Sequence, residues 1–329
     1  MLRKMNLKLM IFSLIIVKNL LSVTEGQLKV GFYSKTCPTA ESIVHSVVQQ
    51  SIKDNTGNAA VLLRLQFHDC FVEGCDGSIL IEVDGGEGEQ GAPGNLGVGG
   101  FEIIEEAKAR VEEACPGVVS CADIVALAAR DSVSLVSGPF YEVPTGRRDG
   151  RISKKSSASN LPEPDDSIEL LKSKFSQKGL SDKDFVLLSG GAHTIGHTAC
   201  FFVQKRLYNF TEAPAGSSDP EINPKFLPKL KAMCPFGQVS IKIPLDQGTS
   251  FIFDDLIFRN IKKGFAVLAS DAKLYHNNKT KQILDSYITT TGSRKSFKSD
   301  FGKAMVKMGN IGVKTDPEGE IRRVCSAVN

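Results

Sequence analysis

The chain of 329 residues has no tryptophan, and aromatic residues make up only 7% of it. It holds no apolar run of the roughly 20 residues that a membrane span needs. The best candidate, Met10 to Val17, is ended by Lys18. Neither charge dominates, with 40 Lys and Arg against 37 Asp and Glu. Close C-x-x-C pairs of the zinc-ribbon kind are missing, and so is a His-Glu-x-x-His motif. Internal repeats and low-complexity tracts are not evident. These absences exclude a membrane anchor and a zinc ribbon. The balanced charge argues against nucleic acid or an anionic membrane as the main partner.

What is present begins with a secretory signature over residues 1–26. Arg3, Lys4 and Lys8 form its basic region, Met10–Val17 its apolar core, and Thr24-Glu25-Gly26 a small-residue exit, so Gln27 is the expected mature start. Loss of this leader takes Lys plus Arg from 40 to 36 and Asp plus Glu from 37 to 36, a neutral mature chain. Eight cysteines follow, at 37, 70, 75, 115, 121, 200, 234 and 325. An even count behind a leader implies four disulfides, although eight cysteines allow on the order of a hundred pairings. Spacing alone supports only the short Cys70–Cys75 loop. Two sequons, Asn209-Phe-Thr and Asn278-Lys-Thr, are candidate glycosylation sites.

The stretch Arg64 to Ser78 stands out. Val61, Leu62 and Leu65 have helical spacing, which predicts a helix over Asn58–His68. Arg64 and His68 are four apart, so one face presents a permanent cation beside a proton acceptor. That pairing is an acid–base device. A solvated pair on a helix is the plainer reading. Beyond it, Asp69, Asp76 and Ser78 offer hard oxygen ligands, and Gly74 and Gly77 permit tight turns, a composition that suits calcium. An ordinary Asp-rich turn is the plainer reading here.

The run RLQFHDCFVEGCDGSILI resembles the distal segment of plant secretory (class III, horseradish-type) haem peroxidases. That likeness implies a mostly α fold in which two helical halves, about 27–160 and 161–329, sandwich one haem b, with two calcium ions and four disulfides. It implies His68 as proton acceptor and Arg64 as transition-state stabiliser. Asn95 would orient His68, and Glu89 would hold Asn95. The first calcium would be bound by Asp69, Val72, Gly74, Asp76 and Ser78. The implied disulfides are Cys37–Cys115, Cys70–Cys75, Cys121–Cys325 and Cys200–Cys234.

The second half centres on Leu188-Ser-Gly-Gly-Ala-His193-Thr194-Ile195-Gly196-His197. Taken alone, His193 and His197 suggest either a core histidine or a weak zinc pair. The motif resembles the family's proximal segment, which implies His193 as the axial haem-iron ligand, with Asp271 accepting its other ring proton. Thr194, Asp246, Thr249, Ile252 and Asp254 would bind the second calcium. The chain carries one residue more than the family pattern around Gly190-Gly191-Ala192. His197 is expected inside a helix that continues to Tyr208.

Further helices are predicted at Ala40–Lys53, Phe101–Ala114, Cys121–Leu135, 277–290 and 297–308. Ser120 is a plausible cap, and Asp84–Gly100 an irregular loop. An Asp123–Arg147 ion pair is read as structural, and Tyr141 stands where the family has its tryptophan. In Asn160-Leu-Pro162-Glu-Pro164, Pro162 is the substrate-binding candidate, followed by Asp165-Asp166 where an aromatic residue is common. Hydrogen peroxide and small phenolic donors are the implied partners, with wall phenolic metabolism, stress response and peroxide removal as roles for a monomer. Only four residues follow Cys325, from which the cell wall or extracellular space is expected rather than the vacuole. The extra residue and altered rim leave open a catalytically impaired secreted calcium- or wall-binding protein of the same fold.

Overall fold

The computed structural model describes residues 28–211, 214–289 and 293–329. The expected leader, and Gln27 after it, lie outside the described residues. Apolar residues every three or four positions build the first four helices: α1 (Ala40–Asp54), α2 (Asn58–Phe71), α3 (Phe101–Ala114) and α4 (Cys121–Leu135). Val44, Val47, Val48, Leu62, Leu65, Ile104, Val111 and Leu127 meet in one core. Ser120 caps α4 by accepting from the Asp123 amide. Helix α2 runs three residues past the predicted end, which carries Asp69, Cys70 and Phe71 on helical backbone. Between α2 and α3 the glycine-rich loop settles into short 3-10 turns at Asp84–Gly86, Glu89–Gly91 and Pro93–Asn95.

The second half packs α5 (Ile168–Gln177), α6 (Asp182–Val186), α7 (Gln204–Tyr208), α8 (Leu227–Met233), α9 (Leu256–Lys262), α10 (Ala269–His276), α11 (Asn278–Thr289) and α12 (Ser293–Met308). Its core is aromatic. Phe175, Phe185, Phe253, Phe258, Phe297 and Phe301 are all at most 1% exposed, and Phe253 stacks on Phe297 at 5.2 Å. Four disulfides tie the chain: Cys37–Cys115, Cys70–Cys75, Cys121–Cys325 and Cys200–Cys234. Among the described residues no helix is long and apolar enough to cross a membrane.

One expectation fails. The segment after His193 does not continue as a helix to Tyr208. Gly196 takes φ +98°, and a Cβ there would sit 2.6 Å from the Ala60 methyl. The chain turns extended, and β1 (His197–Ala199) pairs antiparallel with β2 (Lys242–Pro244), Thr198 opposite Ile243. His197 is therefore an exposed strand residue, not a helical one. The Tyr141 hydroxyl is buried without a partner, and burial raises its pKa.

Candidate active site

Helix α2 delivers Arg64 and His68 to one side, with Leu62 and Leu65 turned into the core. His68 is 7% exposed, and its Nδ1 lies 2.6 Å from Asn95 Oδ1. An amide oxygen only accepts, so Nδ1 carries the hydrogen and Nε2 keeps its lone pair. Burial and the neighbouring Arg64 cation depress the His68 pKa to about 3, against the opposing pull of Asn95. His68 is thus a neutral base across the physiological range. Arg64 donates to the Leu96 carbonyl at 3.3 Å.

Asn95 is itself held, by a bond from its Nδ2 to Glu89 at 2.7 Å. The acceptor is the Glu89 main-chain carbonyl, not its carboxylate. The short 3-10 turns between Glu89 and Asn95 fold the amide back onto the backbone. The Glu89 carboxylate instead points, wholly buried, towards the Asp69–Ser78 loop, and burial lifts its pKa to about 8.

His193 faces the same region from the other half. Its Nδ1 lies 2.9 and 3.1 Å from the two Asp271 oxygens. Burial lowers its basicity, but the charge and hydrogen bond of Asp271 outweigh that and the net shift is upward. The ring keeps 29% of its side-chain surface accessible, against 1% for Asp271. Two imidazoles thus have Nδ1 engaged and Nε2 uncommitted, with the same Arg64 cation acting on both. That is a donor arrangement suited to a flat iron cofactor with one axial histidine and one distal base. His197 takes no part, and among the described residues no three His, Cys, Asp or Glu side chains gather in metal-binding geometry.

The loop after α2 assembles a different chemistry. Asp69, Asp76 and Ser78 are at most 1% exposed. Asp69 Oδ2 accepts from the Gly77 amide and Asp76 Oδ1 from the Ser78 amide. Asp69 Oδ1 has no partner, and Ser78 Oγ and the Glu89 carboxylate have none beyond each other. Burial, then the Asp76 charge, push the Asp69 pKa well up. Unpartnered buried oxygens are costly, and two carboxylates with hydroxyl and carbonyl oxygens are hard ligands that fit calcium. The Val72 carbonyl accepts from Lys178 Nζ at 3.0 Å and the Gly74 carbonyl from the Asp76 amide at 2.8 Å, and each retains a second lone pair. Lys314 Nζ sits on Asp76 Oδ2. Lys178 and Lys314 lie far along the chain, and no local spacing signals either.

At the other candidate loop, Thr249 Oγ1 lies 3.1 Å from both Asp246 Oδ2 and Asp254 Oδ1. Thr194 Oγ1 bonds the Asp254 carbonyl at 2.9 Å, and Asn260, which the sequence did not flag, bonds Asp246 Oδ1. Burial raises the Asp246 pKa to about 6. Ile252 is 48% exposed, and its amide bonds the Thr249 carbonyl. Pro162 is half-buried on a segment pinned by lysines. Lys174 bonds Leu161 O and Asp166, Lys273 bonds the Asp165 and Asp166 carbonyls, and Lys205 pairs with Asp165 at 2.9 Å.

Comparison with known proteins places this geometry. Residues 44–290 match the family model described as Peroxidase. The chain is 60% identical over 311 residues to Peroxidase 13 of Arabidopsis thaliana, covering 94% of this chain and 95% of that protein. It is 58% identical to Peroxidase 43 of the same plant, covering 93% and 94%, and 49% identical to Peroxidase N1 of Nicotiana tabacum, covering 92% and 90%. The chain belongs to the peroxidase family, in its plant secretory, class III branch. It is a peroxidase, an oxidoreductase, and its family implies a haem group and hydrogen peroxide.

Proposed function

We propose that residues 27–329 form a secreted, monomeric peroxidase of the cell wall or extracellular space, with one haem b between halves of about 27–160 and 161–329. It oxidises small phenols one electron at a time in wall metabolism, stress response and peroxide removal. The carrying observation is the pair of imidazoles whose Nδ1 atoms are committed to Asn95 and Asp271, leaving each Nε2 uncommitted. His193 would hold the iron. Bound haem supplies the redox chemistry that breaks the peroxide O–O bond. His68 takes the proton from the nearer peroxide oxygen and returns it to the farther one. Arg64 stabilises the charge on the departing oxygen. Asn95 fixes the His68 tautomer, and Asp271 makes His193 a stronger donor. Pro162 borders the approach of the phenol. Asn209 and Asn278, both exposed, would carry glycans.

Reconstituting the oxidatively folded chain with haem and calcium, and recording its visible spectrum, tests this reading. A Soret band that changes on one equivalent of peroxide and returns on adding guaiacol is expected. A folded protein that takes up no haem would instead favour a calcium- or wall-binding protein. Asn95→Ala removes the acceptor at Nδ1 but leaves the base. Stopped-flow rates with peroxide are expected to fall about 10- to 100-fold, the usual cost of losing such an outer partner.

Two calcium ions would bind, one through Asp69, Val72, Gly74, Asp76 and Ser78, the other through Thr194, Asp246, Thr249, Ile252 and Asp254. Lys314 opposes the first by placing a like charge on Asp76. At about 4 Å the repulsion between a unit charge and a divalent ion reaches about 8 kcal/mol at an effective dielectric near 20, and solvent screening at this part-exposed lysine removes most of it. Lys314→Met is therefore expected to tighten calcium binding about tenfold by titration calorimetry, and to lower the melting temperature of the metal-free protein. Unchanged affinity would mean that Lys314 leaves the site when the ion arrives.

A further inference from the structure

The segment leading to His193 is not a plain α-helix. Residues Leu187–Gly191 form a π-helical turn directly after α6, the backbone signature of one residue inserted into a helix, common at functional sites. Two glycines in that turn make unusually close approaches. A Cβ on Gly190 would lie 2.5 Å from Leu274 Cδ1 and 3.8 Å from Asp271 Oδ1. A Cβ on Gly191 would instead meet Phe297 at 3.1 Å and Phe258 at 3.3 Å. Leu274 and Asp271 sit three apart on α10, and Leu274 is fully buried. Gly190 is therefore where the backbone that carries His193 bears directly on the helix that carries Asp271. Neither glycine has a positive φ, so alanine at either would act through contact, not through backbone strain.

We propose that Gly190 is a positioning residue for the proximal pair: its bare contact with Leu274, created by the π turn, sets the His193–Asp271 separation. This rests on reading His193 as the axial ligand. The extra residue is then taken up by the π turn while the 2.9 Å bond is kept. A methyl at Gly190 has nowhere to go, because Leu274 is enclosed, so α10 and the turn must part and the bond must lengthen. A weaker bond gives His193 less anionic character, which stabilises ferric iron less.

The test compares Gly190→Ala, Gly190→Ala with Leu274→Val, and Gly191→Ala. Gly191 belongs to the same turn but presses on the phenylalanines, away from Asp271. In the haem-loaded protein, Gly190→Ala is expected to move the ferric/ferrous potential positive and lower the iron–histidine stretching frequency. The double variant is expected to return both towards wild type. Gly191→Ala is expected to lower the melting temperature but leave both readouts in place. In the haem-free protein, the downfield proton resonance of His193 Nδ1–H should move upfield in Gly190→Ala and recover in the double variant. If Gly190→Ala shifts these signals no more than Gly191→Ala does, or Leu274→Val restores nothing, Gly190 only packs. A wild type without haem–histidine ligation would refute the proposed function, while the haem-free resonance would still decide the role of Gly190.

Discussion

Replacing His68 by leucine is expected to slow the reaction with peroxide by about 10²–10⁴-fold, the usual contribution of a positioned acid–base group. The basis is the protonation state. Burial and Arg64 hold the His68 pKa near 3, and Asn95 occupies Nδ1 at 2.6 Å, so the ring is neutral with one free lone pair. The wild-type rate is accordingly expected to stay level from neutral pH downwards and to fall only as pH approaches that value. The variant should lose that acid inflection along with the rate. Stability adds an independent check. The folded pKa lies below the unfolded value of about 6.5. Between the two the unfolded chain binds more protons, so stability drops as pH falls from about 6.5 towards 3. Leucine removes that slope, although it strands Asn95 Oδ1 at a cost of about 1–3 kcal/mol. Stopped-flow mixing across pH, paired with thermal melts, reads both effects. A variant as fast as wild type would remove His68 from the proton transfer.

Much of this was legible in the sequence because it is local. The 3.6-residue spacing in α1 to α4 marks helices that bury one face, and the i, i+4 relation of Arg64 and His68 survives in the fold. The non-local parts were hidden. His197 looked helical because nothing near it announces that Lys242–Pro244 will pair with it. The family resemblance brought Glu89 and Asn95 together, but not the fact that the contact runs through a main-chain carbonyl. That detail frees the Glu89 carboxylate to turn to the Asp69–Ser78 loop. Lys314 and Lys178 reach that loop from distant segments, and only the fold brings them there. The extra residue before His193 was visible as a count. Its absorption by a π turn depends on α10 and the phenylalanine cluster, which no local pattern describes.

Asp123→Ala is expected to cost about 3–5 kcal/mol of stability, because it leaves a buried guanidinium without its counter-charge. Asp123 is fully buried and Arg147 is 2% exposed, with the pair 2.7 Å apart. Asp123 Oδ2 also accepts from the Tyr33 hydroxyl at 2.7 Å and from the Gly146 and Arg147 amides at 2.6 and 3.1 Å. Arg147 meanwhile donates to the Gly309 and Pro144 carbonyls. One carboxylate thus joins the N-terminal segment, α4, the strand-like stretch before Arg147 and the end of α12. The melting temperature is expected to fall by about 10 °C, while peroxide reactivity at low temperature stays near wild type, since neither residue touches His68 or His193. Arg147→Met should cost a similar amount. The double variant should cost clearly less than the two singles together, because the second change removes the charge that the first left unpaired. Strict additivity would mean that the two act through separate contacts, Asp123 through Tyr33 and Arg147 through Gly309, and that their ion pair holds little of the fold.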